Sequence, residues 1–344
     1  GTPMSDLAAG ALARNRPSRD VAAAEDLVAR VAQSDLETIR IVFADAHGIL
    51  RGKTIVASAL ESAFKGGIGV PSTVVLKDTS HRTVFPVWSG DPDTPAGPLQ
   101  GSNDIVLVPD AATFRILPWS PHSAILLSDL VFRDGGPIPF APRTVLARAI
   151  EALEVQGMRA RMGLEVEFHI FRRVDDALDH EQTTMPGAPV RTRALTQGFQ
   201  YLNETRYNEA EPVLDLLRRN AQGLGLPVRS VEVEMGPSQF EFTFEPDGPM
   251  EQADAMMLFR TMAREVCARE GLHASFMAKP KLANIAANGW HVHQSLEDAE
   301  GRNLFMPEGD ALTAEAAGWI AGLLDHAEAS SLLLAPGVNS YKRY

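Results

Sequence analysis

Gly163-Leu-Glu-Val-Glu-Phe-His-Ile-Phe171 alternates acidic or imidazole side chains with apolar ones, the pattern of a β-strand with two unlike faces. Successive side chains on a strand point to opposite faces. Glu165, Glu167 and His169 therefore share one face, and Leu164, Val166, Phe168 and Ile170 take the other. One packed face and one wet face fit an antiparallel sheet with helices on one side, which predicts an α+β fold.

Two further stretches repeat the pattern. In Val231-Glu-Val-Glu-Met-Gly-Pro-Ser-Gln-Phe-Glu-Phe-Thr-Phe244, Glu232 and Glu234 share a face. Glu241, Thr243 and Glu245 share one opposite Phe240, Phe242 and Phe244. Gly236-Pro237 interrupts the run as a turn or bulge would. In Asn288-Gly-Trp-His-Val-His-Gln-Ser295, His291 and His293 project together. Any one of these alone describes a half-solvated strand. Together they set like charges on neighbouring strands, which is costly to bury unless something positive compensates. A divalent cation is the natural compensation, and the three stretches read as a two-metal site. Carboxylates with an occasional His favour Mg2+ or Mn2+ over Zn2+.

The composition narrows the remaining choices. A chain of 344 residues exceeds one typical core, so two domains are expected. The net charge of −12 argues against a nucleic-acid or anionic-membrane partner. The single cysteine, Cys267, forbids an intrachain disulfide and fits a reducing cytoplasm. It lies in the helical pattern Ala253–Glu270, so a buried structural thiol is expected. No segment approaches the roughly 20 apolar residues of a membrane span, and the Arg-containing N-terminus is not a signal peptide. Gly1-Thr-Pro before Met4 has the character of a tag remnant.

Along the chain, residues 1–20 are expected to be disordered, residues 21–140 to form a β-rich domain, and residues 141–344 a catalytic domain. Val21–Ser34 reads as an amphipathic helix. Thr38–Phe43 and Ile49–Ile55 flank the turn Asp45-Ala-His-Gly48 as a hairpin. Ser58–Phe64 is a short helix, and Ile105–Val108 and Ala124–Leu130 are strands. Asp134-Gly-Gly-Pro-Ile-Pro-Phe-Ala-Pro142 is the strongest punctuation and marks the boundary. Helices follow over Pro142–Gln156, Glu209–Leu224, Pro249–Glu270 and Ala314–Ala329. Residues 172–195 form a polar insertion, and Leu332–Tyr344 an extended tail.

In this order the motifs resemble the glutamine synthetase family of ATP-dependent amide ligases, from about Ile39 to the last residue. They are Gly-x-Glu-x-Glu-Phe at 163–168, Glu-x-Gly-Pro-x-Gln-x-Glu at 234–241, Phe276-Met-Ala-Lys-Pro280, His291-Val-His-Gln-Ser-Leu296 and Asn339-Ser-Tyr-Lys-Arg343. Ser102-Asn-Asp-Ile-Val-Leu-Val-Pro-Asp110 and Ser128-Asp-Leu130 add to it. The resemblance implies a small β-grasp-like N-terminal domain and a catalytic domain whose curved antiparallel sheet forms a half-barrel flanked by helices. It implies ATP with Mg2+ or Mn2+, and a ring-forming homo-oligomer. By position, Glu167, Glu234 and Glu241 match ligands of the metal near the transferred phosphoryl group. Glu165 and His291 match two ligands of the metal that grips the ATP phosphates. His293 and Ser295 match residues lining the nucleotide site, and Arg343 an arginine that holds anionic substrate. In such a mechanism a carboxylate attacks ATP to give an acyl phosphate, and an amine then displaces phosphate.

The departures from the family pattern bear on the substrate. Where ammonia-using members carry an Asp-Gly-Ser-Ser-like stretch, this chain reads Gly66-Gly-Ile-Gly-Val-Pro-Ser-Thr73, without an Asp. The usual His-His-Glu is Glu232-Val-Glu234, and the Asn-Gly ahead of the histidines is Ala286-Ala287. This is similar to the branch that joins glutamate to alkylamines or polyamines, with Ile68, Val70 and Trp290 as a candidate apolar wall. Ordinary glutamine synthesis from ammonia and a silent structural member are the alternatives. The family pattern continues past the Asn339 motif, so the catalytic domain is expected to be incomplete at Tyr344. Lys279 and Arg51-Gly-Lys53 read as structural, and Trp290 as a core aromatic. His169 shares the acidic face at a position the family does not use, so it reads as a side chain behind the ligands or in contact with solvent. Glu232 is either a contact for a cationic amine or a solvated side chain.

Overall fold

The computed structural model describes residues 10–88 and 97–344. The chain divides into two compact units after Ala147, with Ala177–Pro189 grouped with the first unit. Disorder was expected over residues 1–20. Residues 1–9 lie outside the described residues, and helix α1 (Ala11–Asn15) and helix α2 (Ser18–Ala32) correct the expectation for the rest. Val21, Ala24, Leu27 and Val31 recur at helical spacing on α2 and are all buried. That buried stripe is what orders the segment.

In the first unit, β1 (Thr38–Ala44) and β2 (Leu50–Val56) form the expected hairpin. Then come α3 (Leu60–Gly66), β3 (Ile68–Pro71), β4 (Asp104–Pro109), β5 (Arg115–Ile116) and β6 (Ser123–Phe132). The sheet order is β2-β1-β6-β4-β3, with β5 on β6. Only the β1–β6 pair is parallel. β6 is a nearly continuous apolar run and is buried along most of its length, as a central strand requires. Val70 is buried in this core and Ile68 packs against it, so neither is free to line a substrate wall.

Four charges sit together in the first unit. Arg16 Nη1 lies 3.3 Å from Asp110 Oδ2, and Arg16 also contacts Asp129. Arg143 reaches Asp110 Oδ2 at 3.1 Å and Asp129 Oδ1 at 2.8 Å. Burial pushes the Asp110 carboxyl up, but the two guanidinium groups prevail and hold it below its ordinary value. Helix α4 (Pro142–Glu154) begins one residue before Arg143.

The second unit is built around β7 (Arg159–Arg173), longer than the sequence pattern predicted. Its sheet adds β8 (Thr192–Ala194), β9 (Val228–Val233), β10 (Gln239–Phe244), β11 (Leu272–Ser275) and β12 (Trp290–Glu297). All pairs are antiparallel, in the order β11-β7-β10-β9 with β12 and β8 also on β7. The alternation of β7 and β10 explains why. Phe168, Phe240 and Phe242 are fully buried, and Phe168 stacks on Phe276 at 4.9 Å. Helix α5 (Glu204–Gly223) is capped by the Asn203 side chain, which accepts from the Arg206 N–H at 3.1 Å. Helix α6 (Pro249–Arg269) lies against β7 and β11 and delivers Phe259 into the aromatic cluster, 4.9 Å from Phe242.

The C-terminal expectations need correction. The single helix predicted over 314–329 is two, α7 (Ala314–Asp325) and α8 (Ala327–Leu334). His326 parts them, its ring nitrogen 2.9 Å from the Gly322 carbonyl oxygen. Leu332–Leu334 are helical rather than extended, and Val338–Lys342 form a 3-10 turn. No helix among the described residues is long and apolar enough to cross a membrane.

Candidate metal centre

Strand register decides which side chains meet, because residues directly opposite each other on paired strands share a face. On β7, Glu167 stands opposite Glu241 of β10, and Glu165 stands opposite both Thr243 of β10 and His291 of β12. Glu232 of β9 stands opposite Glu241 from the other side. Glu234 follows β9 and is tied back by its N–H to the Gln239 carbonyl at 3.0 Å. The result is two trios. Glu167, Glu234 and Glu241 bring ligand atoms within 4.8 Å of one another, and so do Glu165, Glu241 and His291. Glu241 belongs to both.

Such crowding is unfavourable without a cation. Glu241 is 6% exposed, and no hydrogen-bond donor among the described residues reaches its carboxylate. Burial, then Glu234, Glu232, Glu165 and Glu167, push it up to about 8. Glu234 is pushed up to about 7 by burial and by Glu167, against the pull of the Met235 N–H. Glu165 lies 3.2 Å from His291 Nδ1 and 3.1 Å from His293 Nε2. Four carboxylates and one imidazole, one carboxylate common to both groups, are a donor set for hard divalent cations such as Mg2+ or Mn2+. Gly289 sits against this cluster. A Cβ there would fall 3.0 Å from His291 Nε2 and 3.1 Å from Glu167 Oε2.

The remaining candidates fall in different places. His293 touches Glu165, as above, whereas Ser295 lies farther along the same face of β12, opposite Arg161. Arg343 is exposed after the 3-10 turn and forms no ion pair among the described residues. Its own motif is nonetheless anchored: Asn339 accepts from the Lys279 N–H at 2.9 Å and donates to the Lys279 carbonyl at 2.8 Å. Glu232 accepts from Ser230 Oγ at 2.9 Å and joins neither trio. Trp290 is 42% exposed and lies under the Arg260 guanidinium, 5.7 Å from it, so it is not the core aromatic expected. His169 is fully buried.

One segment escaped the sequence reading. Phe199, Tyr201 and Leu202 are exposed on a loop hydrogen-bonded to the β9–β10 connection through Phe199 N–H to the Met235 carbonyl at 2.7 Å, and to the end of β9 through Leu202 N–H to the Val233 carbonyl at 3.1 Å. The Tyr201 phenol is raised chiefly by Glu234, so it stands within the field of the carboxylates. Gly198 allows this docking, since a Cβ there would lie 2.4 Å from Pro237 N. The only signal was this glycine followed by apolar residues without periodicity.

Residues 139–344 match the family model described as glutamine synthetase, catalytic domain. A gamma-glutamylanilide synthase of Acinetobacter sp is 35% identical over 335 residues, covering 93% of this chain and 66% of its own length. The gamma-glutamylethanolamide synthetase GlnA4 of Streptomyces coelicolor is 34% identical over 326 residues, covering 93% and 66%. A solved structure described as a GmaS/ADP complex superposes with a TM-score of 0.76 at 27% identity, covering 93% of this chain and 67% of that one. The chain thus spans 66% of the length of these curated relatives. The curved antiparallel sheet of the second unit, with its helices, is the half-barrel of that catalytic domain. With the family model matched over more than half of its length, the chain belongs to the glutamine synthetase family.

Proposed function

We propose that the protein is an ATP-dependent ligase that joins the γ-carboxylate of glutamate to an amine with an apolar body, using Mg2+ or Mn2+. The observation that carries this reading is the pair of ligand trios sharing Glu241. Divalent cations held there would supply charge compensation for the phosphates of ATP. Glu167, Glu234 and Glu241 would hold one, and Glu165, Glu241 and His291 the other. His293 and Ser295 would line the nucleotide side, and Arg343 would meet the acid.

In the reaction a glutamate oxygen attacks the γ-phosphorus and ADP leaves, giving an acyl phosphate. The amine nitrogen then attacks the acyl carbon, phosphate leaves, and a nearby carboxylate takes the surplus proton. Buried, high-pKa carboxylates such as Glu234 and Glu241 suit a proton acceptor only when uncommitted to metal, so the base is assigned to no single residue.

Three observations support a substituted amine over ammonia. Relatives at 35% and 34% identity are named for anilide and ethanolamide products. Gly66–Thr73 offers no carboxylate to hold ammonium. Tyr201, in the field of Glu234, and Met235, whose N–H meets the Glu234 carboxylate, expose apolar surface, and Phe199 is exposed on the same loop as Tyr201; each methylene buried there would contribute about 0.8 kcal/mol. A ring-forming homo-oligomer and a cytoplasmic location belong to the same proposal, the latter fitting the buried Cys267 thiol, pushed up to about 12 chiefly by burial. So does a β-grasp-like reading of the first unit, supported by its parallel β1–β6 pair. The test is kcat/KM of the full-length protein for ammonia, ethylamine, ethanolamine, putrescine and aniline, with glutamate and ATP. Preference for ammonia would return it to glutamine synthesis, and phosphate release with none of them would favour a silent member.

A further inference from the structure

On the carboxylate face, two residues along from Glu167 on β7 and from Glu241 on β10, begins a buried polar chain that the ligand trios do not include. Gln239, opposite His169 in the β10–β7 register, donates from Nε2 to the Ala287 carbonyl at 2.9 Å and to Asn288 Oδ1 at 2.8 Å. Its Oε1 accepts from the Gly236 N–H at 2.9 Å. Asn288 donates from Nδ2 to the Met277 carbonyl at 2.7 Å, and the same amide nitrogen lies 3.0 Å from His169 Nδ1. His169, Gln239 and Asn288 are each at least nine-tenths buried.

The direction of every bond in this chain is forced. Backbone carbonyls only accept and a backbone N–H only donates, so Ala287, Met277 and Gly236 fix which end of each amide is nitrogen. Asn288 therefore donates to His169, and His169 Nδ1 must be the acceptor. The imidazole is neutral, with its proton on Nε2, and no acceptor among the described residues meets that proton. His169 thus occupies its place at a cost, which points to a use for the lone pair on Nδ1.

That use lies at the two ends of the chain. Asn288 anchors the segment whose next residue, Gly289, donates its N–H to Glu167 Oε2, while the Glu167 N–H returns to the Gly289 carbonyl at 3.2 Å. Gln239 closes the turn that carries Glu234, through Gly236 and through its own carbonyl. Among the described residues, no side chain of this polar chain hydrogen-bonds Glu165 or His291; Glu165 meets His291 and His293 instead.

We propose that His169 is a positioning residue for the Glu167/Glu234/Glu241 trio alone, acting through Asn288 on Glu167 and through Gln239 on Glu234. The proposal rests on the metal-dependent reading above, and its test separates the two. Mn2+ binding to the purified chain is followed by electron paramagnetic resonance of the free ion. Wild type should bind two ions. His169→Phe, which removes the acceptor, should weaken one of them by roughly 10–100-fold and leave the other unchanged. His169→Gln, which returns an acceptor oxygen, should stay close to wild type. Asn288→Ser interrupts the chain from its other end, keeps the test available should His169→Phe not fold, and should give the same selective loss. A merely structural role would weaken both ions together or neither, and either result overturns the proposal. Wild type that binds no Mn2+ would instead overturn the metal-dependent reading, and the proposal with it.

Discussion

Replacing Glu241 by Gln should make the metal-free protein more stable at alkaline pH and blind to metal. Glu241 is 6% exposed, has no hydrogen-bond donor among the described residues, and is pushed from an ordinary 4.5 up to about 8. The folded state thus holds that proton more tightly than the unfolded chain. The stabilisation is full below about pH 4.5 and is lost as pH rises through about 8. Each pH unit in that window removes up to about 1.4 kcal/mol. Glu165 and His291 open the cluster to solvent at 33% and 56% side-chain exposure, which screens part of the repulsion. A net effect of about 1–3 kcal/mol at pH 8 is the reasonable size. Gln is nearly isosteric and cannot ionise, so Glu241→Gln should exceed wild type by that amount at pH 8 and match it at pH 5. Mn2+ at 100 times its Kd should stabilise wild type by about 2.7 kcal/mol. The variant has lost the ligand common to both trios and should gain little. Scanning calorimetry of the second unit's transition, with and without Mn2+, reads both effects. A variant less stable than wild type at pH 8, or stabilised by Mn2+ as wild type is, would refute the reasoning.

Other outcomes follow from the packing and charge already described. Arg143→Ala leaves Asp110 and Asp129 with Arg16 as their one remaining guanidinium partner and should cost about 1.5–3 kcal/mol, read from the first unit's melting. Because Asp110 is held below 3.8, its contribution is present above that value and lost as pH falls beneath it; Asp110→Asn should flatten this acid limb. Phe259→Ala opens a hole among Phe168, Phe242 and Phe244 and should cost about 3–5 kcal/mol by calorimetry of the second unit. Phe199→Ser, at a residue 61% exposed, should leave melting unchanged while raising KM for ethylamine more than for ammonia.

Strand alternation made most of the second unit legible. Period-two patterning is a property of each strand, so the faces of β7, β10 and β12 could be read before their pairing was known. Register was not legible, and register is what places Glu241 in both trios. The short strands β3, β5, β8 and β11, of two to four residues, carry too few side chains for a period to show. Val70 misled because an apolar residue in a Gly-rich stretch looks available, yet its strand turns it into the core. Alternation left His169 either behind the ligands or in solvent, and its full burial was not legible. Its partners across the strands are Gln239 and Ser275, and the Asn288 amide that meets its ring comes from 119 positions away in sequence. The Phe199 loop was invisible for a different reason: its order comes from hydrogen bonds to β9 and the β9–β10 connection, not from any local pattern.

The most direct test of the central claim is anomalous diffraction from crystals of this protein soaked in Mn2+. Two peaks should flank Glu241, one within coordination distance of Glu167 and Glu234 and the other of Glu165 and His291. An empty cluster at saturating Mn2+, or a single ion that leaves Glu241 unligated, would contradict the account.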